Sequence, residues 1–341
     1  MTLYAVGLSA VGAGILALLG TWLALGYARR RAMVDIPGQR RSHSIPTPRG
    51  GGVGIVVALL VVTMTLVWLG LPGGPGVAFG LGLSVVAAVG WIDDHRPLPA
   101  LSRLLVHVAA AIALVSQLPV REGSDLPLLA LAAVQVFLLV TAINFWNFMD
   151  GINGLATTQS AWVAACVGLA FAAAGQWPWA MLAAAMFGAS LGFLPFNFPR
   201  ARIFLGDVGS GGLGFAIGAL LLQAHSSETL DLWSVALIVS AFGLDASLTL
   251  GTRILRGRRW YTAHREHLYQ WLVRTGRSHA RVTLTYLAWN LIIVLPLLVL
   301  SRNHAMLAPW LAAGALLLGA GTWWLGKQSI LRQVCKGPVS G

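Results

Sequence analysis

Apolar runs of about twenty residues recur from one end of this chain to the other, and that recurrence leaves few folds open. A bilayer core needs about 20 mostly apolar residues per helix. Eleven such runs fall near 3–28, 52–70, 76–92, 104–120, 126–145, 156–175, 178–195, 210–224, 232–252, 283–300 and 306–326. A β-barrel would show alternating segments of about ten residues instead, and these runs do not alternate. Hydrophobic residues make up 57% of the 341 and charged residues only 10%. The expectation is an all-α polytopic membrane protein with about 11 transmembrane helices, folded as a single domain over 1–341. Its loops on one side would lie near 29–51, 93–103, 146–155, 196–209 and 253–282. No internal repeat is visible, which argues against a transporter built from paired halves.

Basic residues orient these runs. If the loops alternate sides, 21 of the 23 Lys and Arg fall on one side, and Arg121 and Arg302 alone on the other. The positive-inside rule then puts the N-terminus outside and the C-terminus in the cytoplasm. The first run has no basic residue before it, extends about 26 residues and is followed by Arg29, Arg30 and Arg31, so we read it as a retained helix and not a cleaved signal. The net charge of +12 follows from this loop bias. It favours anionic lipid head groups, with no motif for nucleic acid. Cys166 lies within a run and Cys335 in the tail, so neither a disulfide nor a cysteine metal site is expected.

Acidic residues carry the chemistry. Glu122, Asp125, Glu228 and Asp231 fall in outer loops and read as solvated charges. The other seven are Asp35, Asp93, Asp94, Asp150, Asp207, Asp245 and Glu266, all on the inner side or inside a run. Adjacent aspartates at the end of the third run (GWIDDHRP) are costly there unless a cation, a proton or a partner neutralises them. Hard carboxylate oxygens suit Mg²⁺, which commonly takes one or two of them plus substrate phosphates. The bland alternative is a helix end emerging beside Arg96. In NFWNFMDGINGLA, Asn144, Asn147 and Asp150 recur every three positions, which puts two amides and a carboxylate on one side of a helix end. Amides both donate and accept, as a nucleotide or phosphate requires; helix capping is the structural alternative.

Asp207 sits in LGDVGSGGLG, where glycines free the backbone and the next helix would offer its N-terminus to an anion. His264 and His267 lie three apart beside Arg265. Zinc would need more ligands than these two, so a diphosphate held by imidazole and guanidinium fits better. His95, His107, His225, His279 and His304 read as structural or surface residues. His43 and Arg49, in GQRRSHSIPTPRGGG, face either a phosphate or nothing but topogenic charge. Asp245, inside the ninth run, is a functional candidate by depth, with pairing to Arg253 or another helix as the alternative.

Taken in order, DIPGQRRSHSIPTPRGGG, GWIDDHRPL, NFWNFMDGINGL, ARIFLGDVGSGGLG and HREHLYQ resemble the motifs of polyprenyl-phosphate N-acetylhexosamine-1-phosphate transferases (the MraY, WecA and WbpL types, glycosyltransferase family 4). The resemblance covers about residues 33–275. It implies a Mg²⁺-dependent enzyme, with Mn²⁺ as a substitute, facing the cytoplasm in a bacterial inner membrane. Such an enzyme moves sugar-1-phosphate from a UDP-N-acetylhexosamine to undecaprenyl phosphate and releases UMP. By position, Asp207 would be the principal metal ligand, with Asp93 and Asp94 contributing. Asp93 would deprotonate or position the lipid phosphate, assisted by Asp94. Asn144, Asn147, Asn153 and Asp150 would orient the nucleotide diphosphate, and His264, Arg265 and His267 would contact it. The family also leads to the expectation of a homodimer. The last motif lacks a run of three histidines, and Asn153 stands where MraY types have Asp. Both point toward WbpL-like enzymes that initiate O-antigen or other lipopolysaccharide synthesis, with peptidoglycan's phospho-MurNAc-pentapeptide transfer as the runner-up. A membrane transporter is the alternative from another class.

Overall fold

The computed structural model describes residues 3–36, 45–119, 127–258 and 264–335. His43 lies outside them. Each expected apolar run has a helical counterpart. Among the described residues, eight helices are long and apolar enough to cross a membrane. They are α1 (Leu3–Arg30), α3 (Val77–His95), α5 (Leu128–Met149), α6 (Leu155–Ala173), α7 (Trp177–Asn197), α8 (Gly206–Ser226), the helix His279–Asn303 and the helix Ala305–Gln333. Two more, α2 (Val53–Trp68) and α4 (Ala100–Val115), have 16 residues each. At 1.5 Å per residue they reach about 24 Å, short of a hydrocarbon core of about 30 Å. The remaining run is broken. α9 (Leu232–Ile238) and α10 (Ser240–Leu255) meet at 82°.

That break was not visible in VALIVSAFG, which has no proline to cause it. At the joint the Ser240 hydroxyl accepts a hydrogen bond from Trp289 Nε1 at 3.0 Å.

Among the described residues the chain forms two compact units, one ending at Asp231 and the other beginning at Leu232. In the first, α8 is the central helix, with 94% of its apolar window buried, and it packs against α3 and α5. Backbones approach closely there. A Cβ at Gly90 of α3 would lie 2.6 Å from Val208 N of α8. Around this core, α1 packs on α7 and turns Leu8, Val11, Ile15, Leu19, Trp22 and Leu23 outward, each at least half exposed. Such a face is a liability in water and ordinary against lipid. A two-residue antiparallel pair, β1 (Val34–Asp35) with β2 (Thr47–Pro48), leads into α2.

In the second unit, α11 (Leu268–Arg274), α12 (His279–Trp289), α13 (Leu295–Asn303) and α14 (Ala308–Cys335) follow α10. A π turn, Asn290–Val294, joins α12 to α13. It falls just before Pro296, which has no N–H to continue the ladder.

Candidate active site

Two adjacent aspartates at the end of α3 do different work, because successive helix residues point about 100° apart. Asp94 is buried. Its Oδ1 accepts the Asp207 amide at 3.0 Å and its Oδ2 the Val208 amide at 3.2 Å. It therefore caps the N-terminus of α8, where two orphan N–H groups and the helix dipole favour a carboxylate. Gly206, just before, has φ +76° and leaves no room for a Cβ, which would fall 2.5 Å from Asp94 Oδ2. The helix N-terminus expected to receive a substrate anion is thus filled by the chain's own Asp94. Expected beside Asp93 as a second metal ligand, Asp94 has both oxygens engaged by backbone instead. Arg49 Nε stands 3.9 Å from its Oδ1, an outer partner at most.

Asp93 turns the other way. Its Oδ1 accepts the Leu98 amide at 2.6 Å, and its Oδ2 takes a hydrogen bond from Arg103 Nη1 at 3.0 Å. The same nitrogen is 2.9 Å from Asp207 Oδ2. One guanidinium nitrogen of α4 thereby joins carboxylates from α3 and α8. Two like charges about 4 Å apart repel by about 4 kcal/mol at an effective dielectric near 20, and a cation between them, or a proton shared by the pair, offsets that repulsion. Arg103 was missed in the sequence, counted among topogenic charges. Its signal was an arginine in the first turns of an otherwise apolar helix, ALSRLLVHVAAA.

Asn147 completes the cluster. Its Nδ2 donates to Asp207 Oδ1 and to Ser210 Oγ, both at 3.0 Å. Asp150 ends α5. Burial pushes its carboxyl well above the usual carboxylate range, and the charges of Asp207 and Asp94 add to that. Asn144 does not join them, since its Nδ2 donates back to the Val140 carbonyl at 2.7 Å. Asn153 donates to the Pro199 carbonyl at 3.1 Å, tying down the loop after α7. The residues brought together are therefore Asp93, Asn147, Asp207 and Arg103, with Asp94 behind them.

The histidine motif belongs to the second unit. Asp245 is its organiser. Buried on α10, its carboxylate accepts Leu268 N at 2.8 Å, Tyr269 N at 3.3 Å, Tyr286 Oη at 2.7 Å, Trp323 Nε1 at 3.0 Å and Thr249 Oγ1 at 3.2 Å. Backbone and aromatic donors satisfy it; the pairing with Arg253 offered by the sequence goes instead to Glu266. His267 caps α11 and is buried, with Nδ1 3.9 Å from Asp245. His264, by contrast, lines a cleft of about 520 Å³ together with Arg253, Arg256, Arg258, Arg265, Arg274 and Lys327. Glu266 is the one acid in that lining and also takes Arg258 at 2.9 Å. Burial, then His267 and Arg253, push the His264 imidazole down to about 4. It stays neutral at pH 7 while the guanidinium groups supply the charge. Among the described residues, no group of three or more His, Cys, Asp and Glu forms a ready metal cage. A two-carboxylate Mg²⁺ site that relies on substrate phosphates does not need one.

Comparison with known proteins identifies the relatives of this chain. The profile of glycosyl transferase family 4 matches residues 77–225, the stretch that contains the whole carboxylate cluster. The decaprenyl-phosphate N-acetylglucosaminephosphotransferase of Mycolicibacterium smegmatis is 32% identical, over 83% of this chain and 82% of its own. A phospho-N-acetylmuramoyl-pentapeptide-transferase of Moorella thermoacetica is 33% identical over 75% of this chain and 85% of its own. The probable undecaprenyl-phosphate N-acetylglucosaminyl 1-phosphate transferase of Bacillus subtilis is 28% identical over 72% of this chain and 71% of its own.

Proposed function

Because the chain belongs to the polyprenyl-phosphate hexosamine-1-phosphate transferases of glycosyl transferase family 4, we propose that it transfers an N-acetylhexosamine-1-phosphate from a UDP-sugar to undecaprenyl phosphate. An oxygen of the lipid phosphate bonds to the sugar-bearing phosphorus, the bond from that phosphorus to the UMP oxygen breaks, and UMP leaves. The observation that carries the reading is the pairing of Asp93 and Asp207 across a single cation. That donor set of two hard carboxylates already bridged by positive charge fits Mg²⁺, or Mn²⁺ in its place. Asp207 and Asp93 would hold the ion, which when bound supplies charge neutralisation for the transferring phosphoryl group.

The chain's own residues do the rest. Asp93 orients the lipid phosphate and accepts its proton where one is present. Asn147 fixes the Asp207 carboxylate by donating to Oδ1, which keeps its acceptor lone pairs aimed. Asp94 sets the position of Asp207 by holding its amide. Asp150, at the end of α5, adds a carboxyl group whose pKa is raised by burial and by the charges of Asp207 and Asp94. Within the second unit, the cationic cleft beside His264 and Arg265 has the charge and the donors that a phosphate group calls for. Basic loops favour a cytoplasmic face in a bacterial inner membrane, where a soluble nucleotide sugar and a lipid can meet.

For the subgroup, the histidine motif His264-Arg265-Glu266-His267 and Asn153 favour a WbpL-like enzyme that begins O-antigen or another surface polysaccharide. The kinship with a muramoyl-pentapeptide transferase makes peptidoglycan the second reading. The test is UMP release by detergent-purified protein given undecaprenyl phosphate, Mg²⁺ and a panel of donors. Lipid-dependent release with a UDP-N-acetylhexosamine, abolished by EDTA and by Asp207→Ala, supports the proposal. Release only with UDP-MurNAc-pentapeptide would move the chain to peptidoglycan, and no release with any donor would end the transferase reading.

A further inference from the structure

The Arg103 guanidinium occupies the place between Asp93 and Asp207 where a bound cation would sit. A single nitrogen, Nη1, reaches both carboxylates, at 3.0 and 2.9 Å. Asp93 and Asp207 come from different helices, and α4 supplies the bridge from a third. Nothing buries this bridge completely, since the Arg103 and Asp207 side chains are each 31% exposed. The bridge is therefore open to solvent on one side, where an incoming ion can reach it. Asp94 next door is the opposite case, buried and held by two backbone amides.

We propose that Arg103 is an exchangeable counter-ion. It neutralises the Asp93–Asp207 pair until a divalent cation displaces it, and the freed guanidinium then becomes available to a phosphate oxygen of the incoming substrate. The inference rests on the metal-dependent reading above. Both cations need the same oxygen lone pairs, and a small divalent ion holds carboxylate oxygens at about 2.0–2.1 Å, closer than the 2.9 Å or more seen for the guanidinium. The two compete for those oxygens, and the repulsion between two positive charges favours one of them at a time. Displacing Arg103 lowers the apparent metal affinity by the fraction of time the pair is free. In return, metal entry and the release of an anion-binding group become one event.

The test is a Mn²⁺ titration followed by electron paramagnetic resonance, on detergent-purified protein without either substrate, for the wild type, Arg103→Met and Arg103→Lys. Melting temperatures are taken with and without saturating Mg²⁺. If Arg103 occupies the pair about nine-tenths of the time, Arg103→Met should bind Mn²⁺ about tenfold more tightly. Without a divalent ion it should melt below the wild type, and saturating Mg²⁺ should close that gap. Arg103→Lys should fall between, because an ammonium bridges two carboxylates less well than a planar guanidinium. Unchanged or weaker Mn²⁺ binding in folded Arg103→Met would overturn the proposal, as would a melting gap that persists in Mg²⁺. Should Arg103→Met fail to fold, Arg103→Lys decides, and wild-type Mn²⁺ affinity there would overturn it. Absence of Mn²⁺ binding in every variant would remove the metal site along with it. Failure of the transferase reading is separately visible, as absence of UMP release from a protein that still shows the Mn²⁺ exchange.

Discussion

Replacing Gly90 by alanine adds a single methyl group to α3, and the structure indicates how far that methyl must push. Its nearest neighbours are the carbonyl of Asp207 and the amide of Val208, the latter 2.6 Å away. Ordinary carbon contacts begin near 3.5 Å, so α3 and the start of α8 must part by about 1 Å. Both neighbours are backbone in a buried helix, and neither can turn aside. Overpacking of this kind costs about 1–3 kcal/mol of stability. The larger effect falls on turnover. Asp93 lies three residues beyond Gly90 and Asp207 is one of the atoms' owners, so the shift opens the carboxylate pair directly. A misplacement of about 1 Å costs on the order of 10²-fold in rate. The assay is UMP release at saturating donor and lipid, alongside a melting curve. Gly80→Ala is the control on the same helix, because its Cβ meets the terminal methyl of the flexible Met64; it should stay within about twofold of the wild type. Wild-type turnover in a folded Gly90→Ala protein would refute the argument that backbone contact between α3 and α8 sets the site.

Asp94→Ala should lose about 1–2 kcal/mol of stability as the cap on α8 disappears, and turnover with it; Asp93→Asn should lose turnover while its melting temperature stays near the wild type. Asp245→Ala leaves the Tyr286 hydroxyl, the Trp323 indole and two amides without their acceptor, and should cost about 3 kcal/mol or more, read as a lower melting temperature and faster proteolysis between residues 255 and 270. Acid sensitivity should trace partly to His264. Its folded value is about 4, against about 6.5 in an unfolded chain, so between those pH values the unfolded state binds the proton the folded state resists. Stability is therefore lost as pH falls through that window, and His264→Gln should flatten that part of the melting-temperature profile.

Much of this was legible in the amino-acid sequence. Length and apolarity placed the apolar helices, eight of them long enough to cross a membrane among the described residues, and the acidic motifs marked where chemistry would gather. What escaped was direction. Asp93 and Asp94 are neighbours in sequence, and no pattern of residue types says that one faces Arg103 and the other the amides of α8. Asn144, Asn147 and Asp150 share a spacing, yet Asn144 satisfies itself on Val140 one turn back. Histidines three apart suggested a common role, but His267 is buried at a helix cap while His264 lines the cleft. Beside the bend, Ser240 meets Trp289 from about fifty residues further on, a contact that no local rule reaches. Arg103 was concealed by its company, one basic residue among many that topology already explained.

The hydrogen bonds from the Asp207 and Val208 amides to Asp94 have a mechanical consequence. Bilayers differ in thickness, and helices answer by tilting. Tilt applied to α3 or α8 separately would have to stretch two hydrogen bonds and unseat a buried carboxylate before it changed the gap between Asp93 and Asp207. The two helices should lean as one piece, hinged elsewhere, so that the reacting geometry is insulated from the lipid in which the protein happens to be embedded.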